Sequence, residues 1–370
     1  MEIDLQGLRV RPVTAWRGGC GLDNITHGLY GLGIYGVWAV ATGHTALTGD
    51  AVGACLAAVI GSEAPDFDYA VRILRGPVDY LRQHRAASHS VPAWLMWPLP
   101  IALVLSLVWP GHWGQFYLLA LAGVLVHVGL DILTSYGTQA LWPFSSRRLA
   151  LDCLFIVDIV LILCGFAGIA LTLRGWPIGH AVLVFGGVSF LYIAWRCLHT
   201  GFLYDRLRRL YPGARRVSVL PGPMPWMWSY VVETEVGLEA GGLGNTGHTR
   251  PEVVWQQEPW DETAAFVFTH SRVGVVFRWF ARHLIWTKTE LESGTLLTMA
   301  DATYRYGRVF PFTASVQVQP DAGGHGLRVV DERVRAQEVD RAALQRQLAA
   351  ASRRGDEDGP PASQATLRKP

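Results

Sequence analysis

Charged residues are scarce in this sequence, and their scarcity narrows the class of protein. Only 17% of the 370 residues are Asp, Glu, Lys or Arg, whereas 50% are hydrophobic, and the mean hydropathy is +0.22. Soluble domains usually carry about 25% charged residues, so the composition excludes an ordinary soluble protein of this length. The charges nearly balance at a net +2, which gives no reason to expect a nucleic-acid partner.

The sequence also lacks the cysteine spacings of disulfide-rich and thiolate-metal proteins. Its five cysteines are odd in number, scattered, and never arranged as CxxC. We therefore expect them to be small packing residues in a reducing compartment. No internal repeat is recognisable. We expect no cleavable signal peptide, because the first apolar segment is not followed by a small-residue cleavage site.

What the sequence does contain is a series of long apolar runs, nearly all before about Thr200. The runs cover residues 28–46, 51–60, 91–109, 115–133, 154–173 and 180–197, and the second is short for a full span. Arginines are concentrated before the first run, in alternate connections and after the last run, which by the positive-inside rule places those segments in the cytoplasm. The pattern predicts a polytopic α-helical membrane domain of about six spans with both termini cytoplasmic.

From about Arg215 the pattern changes to alternating apolar and polar residues, which is typical of strands. The candidate strands include residues 216–220, 228–235, 264–268, 296–300, 302–306 and 313–318, with a helical piece near 272–285. We expect an N-terminal lead at 1–22, a membrane domain with a metal site at 23–200, a small, mainly β, soluble cytoplasmic domain at 215–320, and a largely disordered or helical tail at 321–370.

A histidine and an aspartate lie one helical turn apart at the end of the fourth apolar run. His127 and Asp131 are four residues apart and so occupy the same helix face. Ionisable side chains at a bilayer boundary are costly, which favours a functional site. The alternative is a polar pair that packs helices together. An imidazole and a carboxylate are suitable first ligands for a metal such as zinc or manganese.

The topology derived from the arginines brings further imidazoles and carboxylates to the same membrane face. This favours a divalent metal at the cytoplasmic interface, with zinc first and manganese or magnesium as alternatives. The predicted metal ligands are His27, Asp66, Asp68, His84, His89, His127, Asp131 and Asp158. The residues predicted to act in catalysis, as acid, base or anion-binding groups, are Asp68, His84, Arg85 and His89. This supply suits either two ions or one ion with additional catalytic groups.

Several short motifs occur in a particular order along the chain. They are Asp23-xx-Thr26-His27, Pro65-Asp66-x-Asp68, His84-Arg85-xx-Ser88-His89-Ser90, His127-xxx-Asp131-xx-Thr134-Ser135-Tyr136-Gly137, Pro143-Phe144-Ser145, Asp152 and Phe155-Ile156-Val157-Asp158. This ordered set resembles the YdjM/YfhP family of inner-membrane proteins, which are regarded as metal-dependent hydrolases and described as LexA-regulated or LexA-binding. The match covers about residues 23–165, and Glu63 departs from the apolar residues that usually precede Pro-Asp in the family.

The resemblance implies a multi-pass protein of the bacterial cytoplasmic (inner) membrane that acts as a metal-dependent hydrolase. A site at headgroup depth predicts membrane lipid as a partner and a lipid, lipid-linked or phosphoester substrate. The first alternative is a non-enzymatic scaffold or regulator in which the metal only holds the helices together. The second is a transporter or ion channel, which is less favoured because the acidic residues gather at one face instead of lining the midplane.

Overall fold

The structure, a computed structural model, describes residues 20–68, 78, 86–256, 258–305, 310, 312–321 and 326–336. Helices occupy the first part of the described chain. They are α1 (Cys20–Thr42), α2 (Asp50–Glu63), α3 (Val91–Met96), α4 (Pro98–Val108), α5 (Trp113–Leu133), α6 (Ile159–Leu173) and α7 (Ile178–Leu210). Two short 3-10 turns, Ala64–Asp68 and Ala87–His89, lie between α2 and α3.

Three helical segments in the described part of the chain are long and apolar enough to cross a membrane. They are Val91–Val108, formed by α3 and α4, Trp113–Leu133 and Ile178–Leu210. The prediction of about six spans is therefore not supported. Helices α2 and α6 have 14 and 15 residues, fewer than the roughly 20 that a bilayer requires. Helix α1 has 23 residues, but glycines and polar residues dilute its apolar character.

Helices α2 and α5 pack closely because small residues line their contact. A Cβ atom added at Gly61 would lie 2.4 Å from the carbonyl oxygen of Ala120, and one added at Gly123 would lie 2.6 Å from that of Ala58. Helices approach this closely only where side chains are absent or very small. The end of α2 therefore lies beside the last two turns of α5, which carry the predicted histidine–aspartate pair.

The second part of the chain forms two four-stranded antiparallel sheets in which consecutive strands are neighbours. The first contains β1 (Arg216–Pro221), β2 (Trp228–Glu233), β3 (Gly237–Leu243) and β4 (Thr249–Gln256), and the second contains β5 (Leu284–Leu291), β6 (Gly294–Asp301), β7 (Phe312–Pro320) and β8 (Leu327–Ala336). Helices α8 (Glu262–His270) and α9 (Arg272–Phe280) connect the two sheets. The expected β-rich region after the helices is thus confirmed.

Three local predictions differ from the structure. Residues 264–268, predicted as a strand, lie in α8, and residues 302–304 form a 3-10 turn. Asp261 caps α8 by accepting a hydrogen bond from the backbone N–H of Ala264 at 2.8 Å, and the helix packs its apolar face on the second sheet. Capping and packing here override the alternating pattern. Residues 327–336, predicted as tail, form β8, and most of the predicted lead and tail lies outside the described residues.

The helical and β parts meet through a bidentate ion pair and an aromatic stack. Arg282 donates from Nη1 and Nη2 to the carboxylate of Asp152 at 2.6 and 2.9 Å, and Nη1 also donates to the carbonyl oxygen of Ser135 at 2.9 Å. Tyr136 stacks on Tyr304 with ring centroids 4.2 Å apart. The segment that follows α5 is therefore held in place by residues of the β part.

Candidate metal centre

Five of the predicted ligands come together although they are far apart in sequence. They come from α1, α5 and the two 3-10 turns, and they are His27, Asp66, His89, His127 and Asp131. They form two groups that share His127, and within each group the ligand atoms lie within 4.8 Å of one another. The side chains of His89, His127 and Asp131 are completely buried. A buried cluster of this composition needs either protons or a cation to balance its carboxylates.

Four ligand atoms of this cluster face one another at close range. The Nε2 atom of His89 lies 3.2 Å from Nε2 of His127 and 3.0 Å from Oδ2 of Asp131. Oδ1 of Asp66 is 3.6 Å from both nitrogens, and Nε2 of His127 is 3.6 Å from Oδ2 of Asp131. Ligands held by a tetrahedral zinc at about 2.0–2.2 Å lie about 3.3–3.5 Å from one another. The separations in the cluster fit such an ion.

His27 completes the cluster from the side of α1. Its imidazole stacks on that of His127 with ring centroids 3.7 Å apart, and its Nε2 lies 3.8 Å from Oδ1 of Asp131. Asp131 therefore presents one oxygen to His27 and the other to His89 and His127. A carboxylate in this position can bind one ion through either oxygen or bridge two ions.

The hydrogen bonds of His127 leave its Nε2 atom available as a ligand. Nδ1 lies 2.6 Å from the backbone carbonyl oxygen of Ser62. A carbonyl oxygen can only accept a hydrogen bond, so Nδ1 carries the proton and Nε2 of the neutral ring carries a lone pair. Such a backbone contact is a common way to orient a histidine that binds a metal.

His89 is oriented in the same sense by a chain of two hydrogen bonds. The hydroxyl of Ser88 donates to Oδ2 of Asp68 at 2.7 Å, and the same oxygen lies 2.9 Å from Nδ1 of His89. Because the hydroxyl proton is directed to Asp68, Ser88 accepts from Nδ1–H of His89. The Nε2 lone pair of the neutral His89 ring is thereby directed at that of His127.

The charges in the cluster favour a cation among these atoms. Oδ1 of Asp66 is buried and accepts no hydrogen bond from the described residues, because 3.6 Å is too long for one. Burial favours the neutral form of this carboxyl, but the nearby imidazoles of His127 and His89 outweigh burial and hold the pKa of Asp66 well below its usual value. Asp66 is therefore ionised, which is the form that binds a metal ion.

Four predicted site residues are not part of the cluster. Asp68 contacts Ser88 instead. Asp158 caps α6, accepting from the backbone N–H of Val160 and Leu161 at 3.1 and 3.4 Å, and it accepts from the hydroxyl of Tyr192 at 2.9 Å. Its oxygens are thus engaged by hydrogen-bond donors. His84 and Arg85 lie outside the described residues, and their roles stay predictions.

A small cavity of about 20 Å³ adjoins the cluster. Thr26, His27, Asp131, Leu154 and Asp158 are among the residues that line it. A space of this size holds one water molecule, provided that polar groups surround it. Asp158 is therefore close to the cluster without belonging to it.

Three contributions to the site were not identified from the sequence. The carbonyl oxygen of Ser62 carries no sequence signal, because every residue has one. Ser88 was included in a motif but was given no role. Glu63, interpreted only as an additional acid, is half-buried at the end of α2, and burial raises its pKa to about 7. Only the packing of α2 against α1 and α5 reveals these contacts.

The fold and the cluster together define a membrane protein whose helical part holds a buried group of imidazoles and carboxylates. The sequence model of a family described as YdjM inner membrane protein matches residues 22–202. The chain is also 34% identical over 313 residues to the uncharacterized protein YfhP of Bacillus subtilis (strain 168), an alignment that covers 83% of this chain and 93% of that protein. No solved structure matches the chain significantly. The chain belongs to the YdjM family of inner membrane proteins.

Family membership confirms the resemblance that the ordered motifs indicated. Together with the three apolar helices it supports a membrane location. The family model ends close to Thr200, within α7, whereas the alignment with YfhP covers most of the chain. The similarity to YfhP therefore extends into the β-rich part.

Proposed function

We propose that this protein is a membrane-bound, metal-dependent hydrolase whose divalent ion is held by His27, Asp66, His89, His127 and Asp131. One observation carries the proposal: two imidazole nitrogens lie 3.2 Å apart and 3.0–3.6 Å from carboxylate oxygens. An ion bound there would lower the pKa of a water molecule and polarise a phosphoryl or carbonyl oxygen. The ligand types favour zinc, with manganese or magnesium as alternatives.

The protein's own groups would prepare the site in two ways. The carbonyl oxygen of Ser62 and the hydroxyl of Ser88 keep both Nδ1 atoms protonated, so that the Nε2 atoms face inward. Asp68 acts through Ser88 as a positioning residue. The cavity next to Asp131 has room for one water molecule. We retain His84 and Arg85 as the proposed acid or base and anion-binding group.

The position of the cluster supports a substrate that lies at the membrane surface. Asp131 is in the last turn of α5, a helix long and apolar enough to span a bilayer. A ligand at the end of such a helix lies near the lipid headgroups. We therefore propose a multi-pass protein with cytoplasmic termini, membrane lipid as its surroundings, and a lipid or other phosphoester as its substrate. A nucleic-acid partner is not part of the proposal.

Elemental analysis of the purified protein tests the metal site. The wild type is expected to contain a stoichiometric divalent metal, and His127→Ala and Asp66→Ala are expected to lose most of it. His112→Ala is the matched control, because His112 precedes α5 at its opposite end and lies 3.8 Å from Asp50. Equal metal content in all four proteins contradicts the proposed site.

A phosphate-release assay tests the reaction separately. The metal-loaded protein in detergent is mixed with phosphatidate, a lipid phosphomonoester, and with a soluble aryl phosphate. Release from either substrate should stop with EDTA and return with zinc. Metal binding without hydrolysis of phosphomonoesters or carboxylic esters would leave the enzyme proposal without support.

The complete burial of three cluster residues favours one competing function, a scaffold or regulator with a structural metal. A structural ion has only protein ligands, whereas a catalytic ion keeps a position for water or substrate. Cobalt substitution separates the two. If phosphate or azide changes the visible absorption of the cobalt protein, the ion is accessible. An unchanged spectrum at saturating anion supports the scaffold.

A further inference from the structure

A cleft in the β part lies apart from the His–Asp cluster and shares no residue with it. Its volume is about 340 Å³, and it is bounded by one end of the first sheet, by α9 and by the start of β5. We call it the arginine–tryptophan cleft, after the residues that dominate it: Arg216, Arg278, Arg282, Trp255, Trp260 and Trp286. Small-molecule sites usually have volumes of about 300–1,000 Å³, so the cleft can enclose a small ligand.

The charges along this cleft favour an anion. Two carboxylates line it, and Glu233 is already held by Nδ1 of His283 at 2.6 Å. Among the arginines, Arg282 is paired with Asp152. This leaves Arg215, Arg216 and Arg278 in the lining, with Glu258 as the opposing carboxylate.

The three remaining arginines are only weakly engaged by carboxylates of the described residues. Arg215 lies 3.9 Å from Glu235, and both side chains are well exposed. Arg216 uses Nη1 to donate to the backbone carbonyl oxygen of Arg282. Arg278 lies over the ring of Trp260 at 5.1 Å. These guanidinium groups keep N–H donors for a ligand, and their planar forks match the oxygens of a phosphate.

The tryptophans supply apolar walls next to the arginines. Trp286 is buried in the core of the second sheet, and Trp260 stands edge-on to it with centroids 6.3 Å apart. About half of the surface of Trp260 is exposed, and Trp255 is partly exposed. Exposed indole faces beside arginines can stack on a flat group or cover an acyl or glycerol group. The cleft therefore offers both a charged and an apolar contact surface.

From this arrangement we infer that the arginine–tryptophan cleft is a binding site for a phosphate-bearing ligand with a flat or apolar group beside the phosphate. Arg216 and Arg278 bind the phosphate oxygens, and Trp255 and Trp260 contact the adjoining group. A soluble nucleotide and a phospholipid headgroup share this chemistry. The inference is independent of the proposed hydrolase, because no candidate metal ligand lines the cleft.

Calorimetric titration of the full chain in phosphatidylcholine nanodiscs tests this inference. EDTA is present throughout, so that an ion at the His–Asp cluster cannot bind the phosphate. One arm uses adenosine monophosphate, and the other uses a short-chain phosphatidylglycerol, with empty nanodiscs as the blank. Saturable 1:1 binding of the nucleotide alone identifies a soluble ligand. Binding of the lipid alone identifies a headgroup, and binding of both supports the shared chemistry.

Variants locate the binding in the cleft. Arg278→Gln and Arg216→Gln should each weaken binding by about 10–100-fold, because a hydrogen bond to a charged group is worth about 1.5–3 kcal/mol. Arg250→Gln is the matched control: Arg250 is an exposed arginine of β4 outside the cleft. Arg278 is exposed on α9, so its variant should fold, which circular dichroism checks. The inference is overturned if the wild type binds neither probe, or if both cleft variants bind as the control does.

Discussion

Nδ1 of His127 donates to the carbonyl oxygen of Ser62 at 2.6 Å, across the contact between α2 and α5. This hydrogen bond can form only because Gly61 and Gly123 let the two backbones approach. A ring oriented by the main chain of a neighbouring helix depends on the distance between those helices. The geometry of the cluster therefore depends on glycines that contribute no ligand.

Enlarging either glycine should disturb both packing and metal binding. An alanine at Gly61 or Gly123 would place its Cβ 2.4–2.6 Å from backbone atoms, so the helices must separate. Overpacking of this kind costs about 1–3 kcal/mol. We expect lower thermal stability and a reduced metal content, measured on the same preparation.

Gly129→Ala is the matched control for these substitutions. Gly129 is in the same helix as Gly123, but a Cβ at this position meets nothing within 4 Å. Alanine is preferred to glycine in a helix by about 0.5–1 kcal/mol, so this variant should be as stable as the wild type or more stable. If Gly61→Ala behaved like Gly129→Ala, the close contact would not constrain the cluster.

Removing the hydroxyl of Ser88 should weaken metal binding without removing a ligand. Ser88 accepts from Nδ1 of His89 and donates to Asp68, so Ser88→Ala releases the ring and leaves its tautomer undefined. Loss of such a partner costs about 10–100-fold in metal affinity. Competition with a fluorescent zinc chelator measures the change. Ser146→Ala, at an exposed serine, should leave the affinity unchanged.

Asp158 provides a test that separates a helix cap from a metal ligand. Asp158→Asn keeps an oxygen that can accept from the backbone N–H of Val160 and Leu161, so we expect near-normal stability and full metal content. Asp158→Ala removes the cap and should cost about 0.5–2 kcal/mol, measured by denaturation. Loss of the metal in Asp158→Asn would restore the original prediction that Asp158 is a ligand.

The ion pair between Arg282 and Asp152 should couple the two parts of the chain. Both side chains are largely buried, and leaving one partner of such a pair alone costs about 3–5 kcal/mol at full burial; partial exposure makes a smaller loss the expectation. Asp152 has φ 54°, a conformation that asparagine also tolerates, so Asp152→Asn removes charge with little backbone strain. We expect faster proteolysis between the two parts. A double variant with Arg282→Gln should be less destabilised than the sum of the single variants.

The sequence predicted the cluster better than it predicted the fold around it. His127 and Asp131 could be identified because a spacing of four residues fixes their common helix face, and the distribution of arginines brought His27, Asp66 and His89 to the same end of the helices. Asp68 and Asp158 could not be separated from these ligands. The direction of a carboxylate depends on which hydroxyl or backbone N–H lies nearest to it, and that is decided by packing.

The length and type of individual elements were predicted less well for similar reasons. Hydropathy identified the apolar runs, but α2 and α6 are shorter than a bilayer requires. Residues 264–268 alternate like a strand, yet the cap at Asp261 and the apolar surface of the second sheet stabilise a helix there. Alternation over five residues cannot exclude one turn of an amphipathic helix.

The contact made by Arg282 has a consequence for any shortened version of this protein. Asp152, which Arg282 holds, is two residues before Leu154, which forms an isolated bridge with Thr134 at the end of α5 and lines the small cavity beside Asp131. One wall of that cavity is thus fixed through a residue of the β-rich half. A fragment that ends near Thr200 would keep every clustered histidine and aspartate but would lose the support that holds this wall in place.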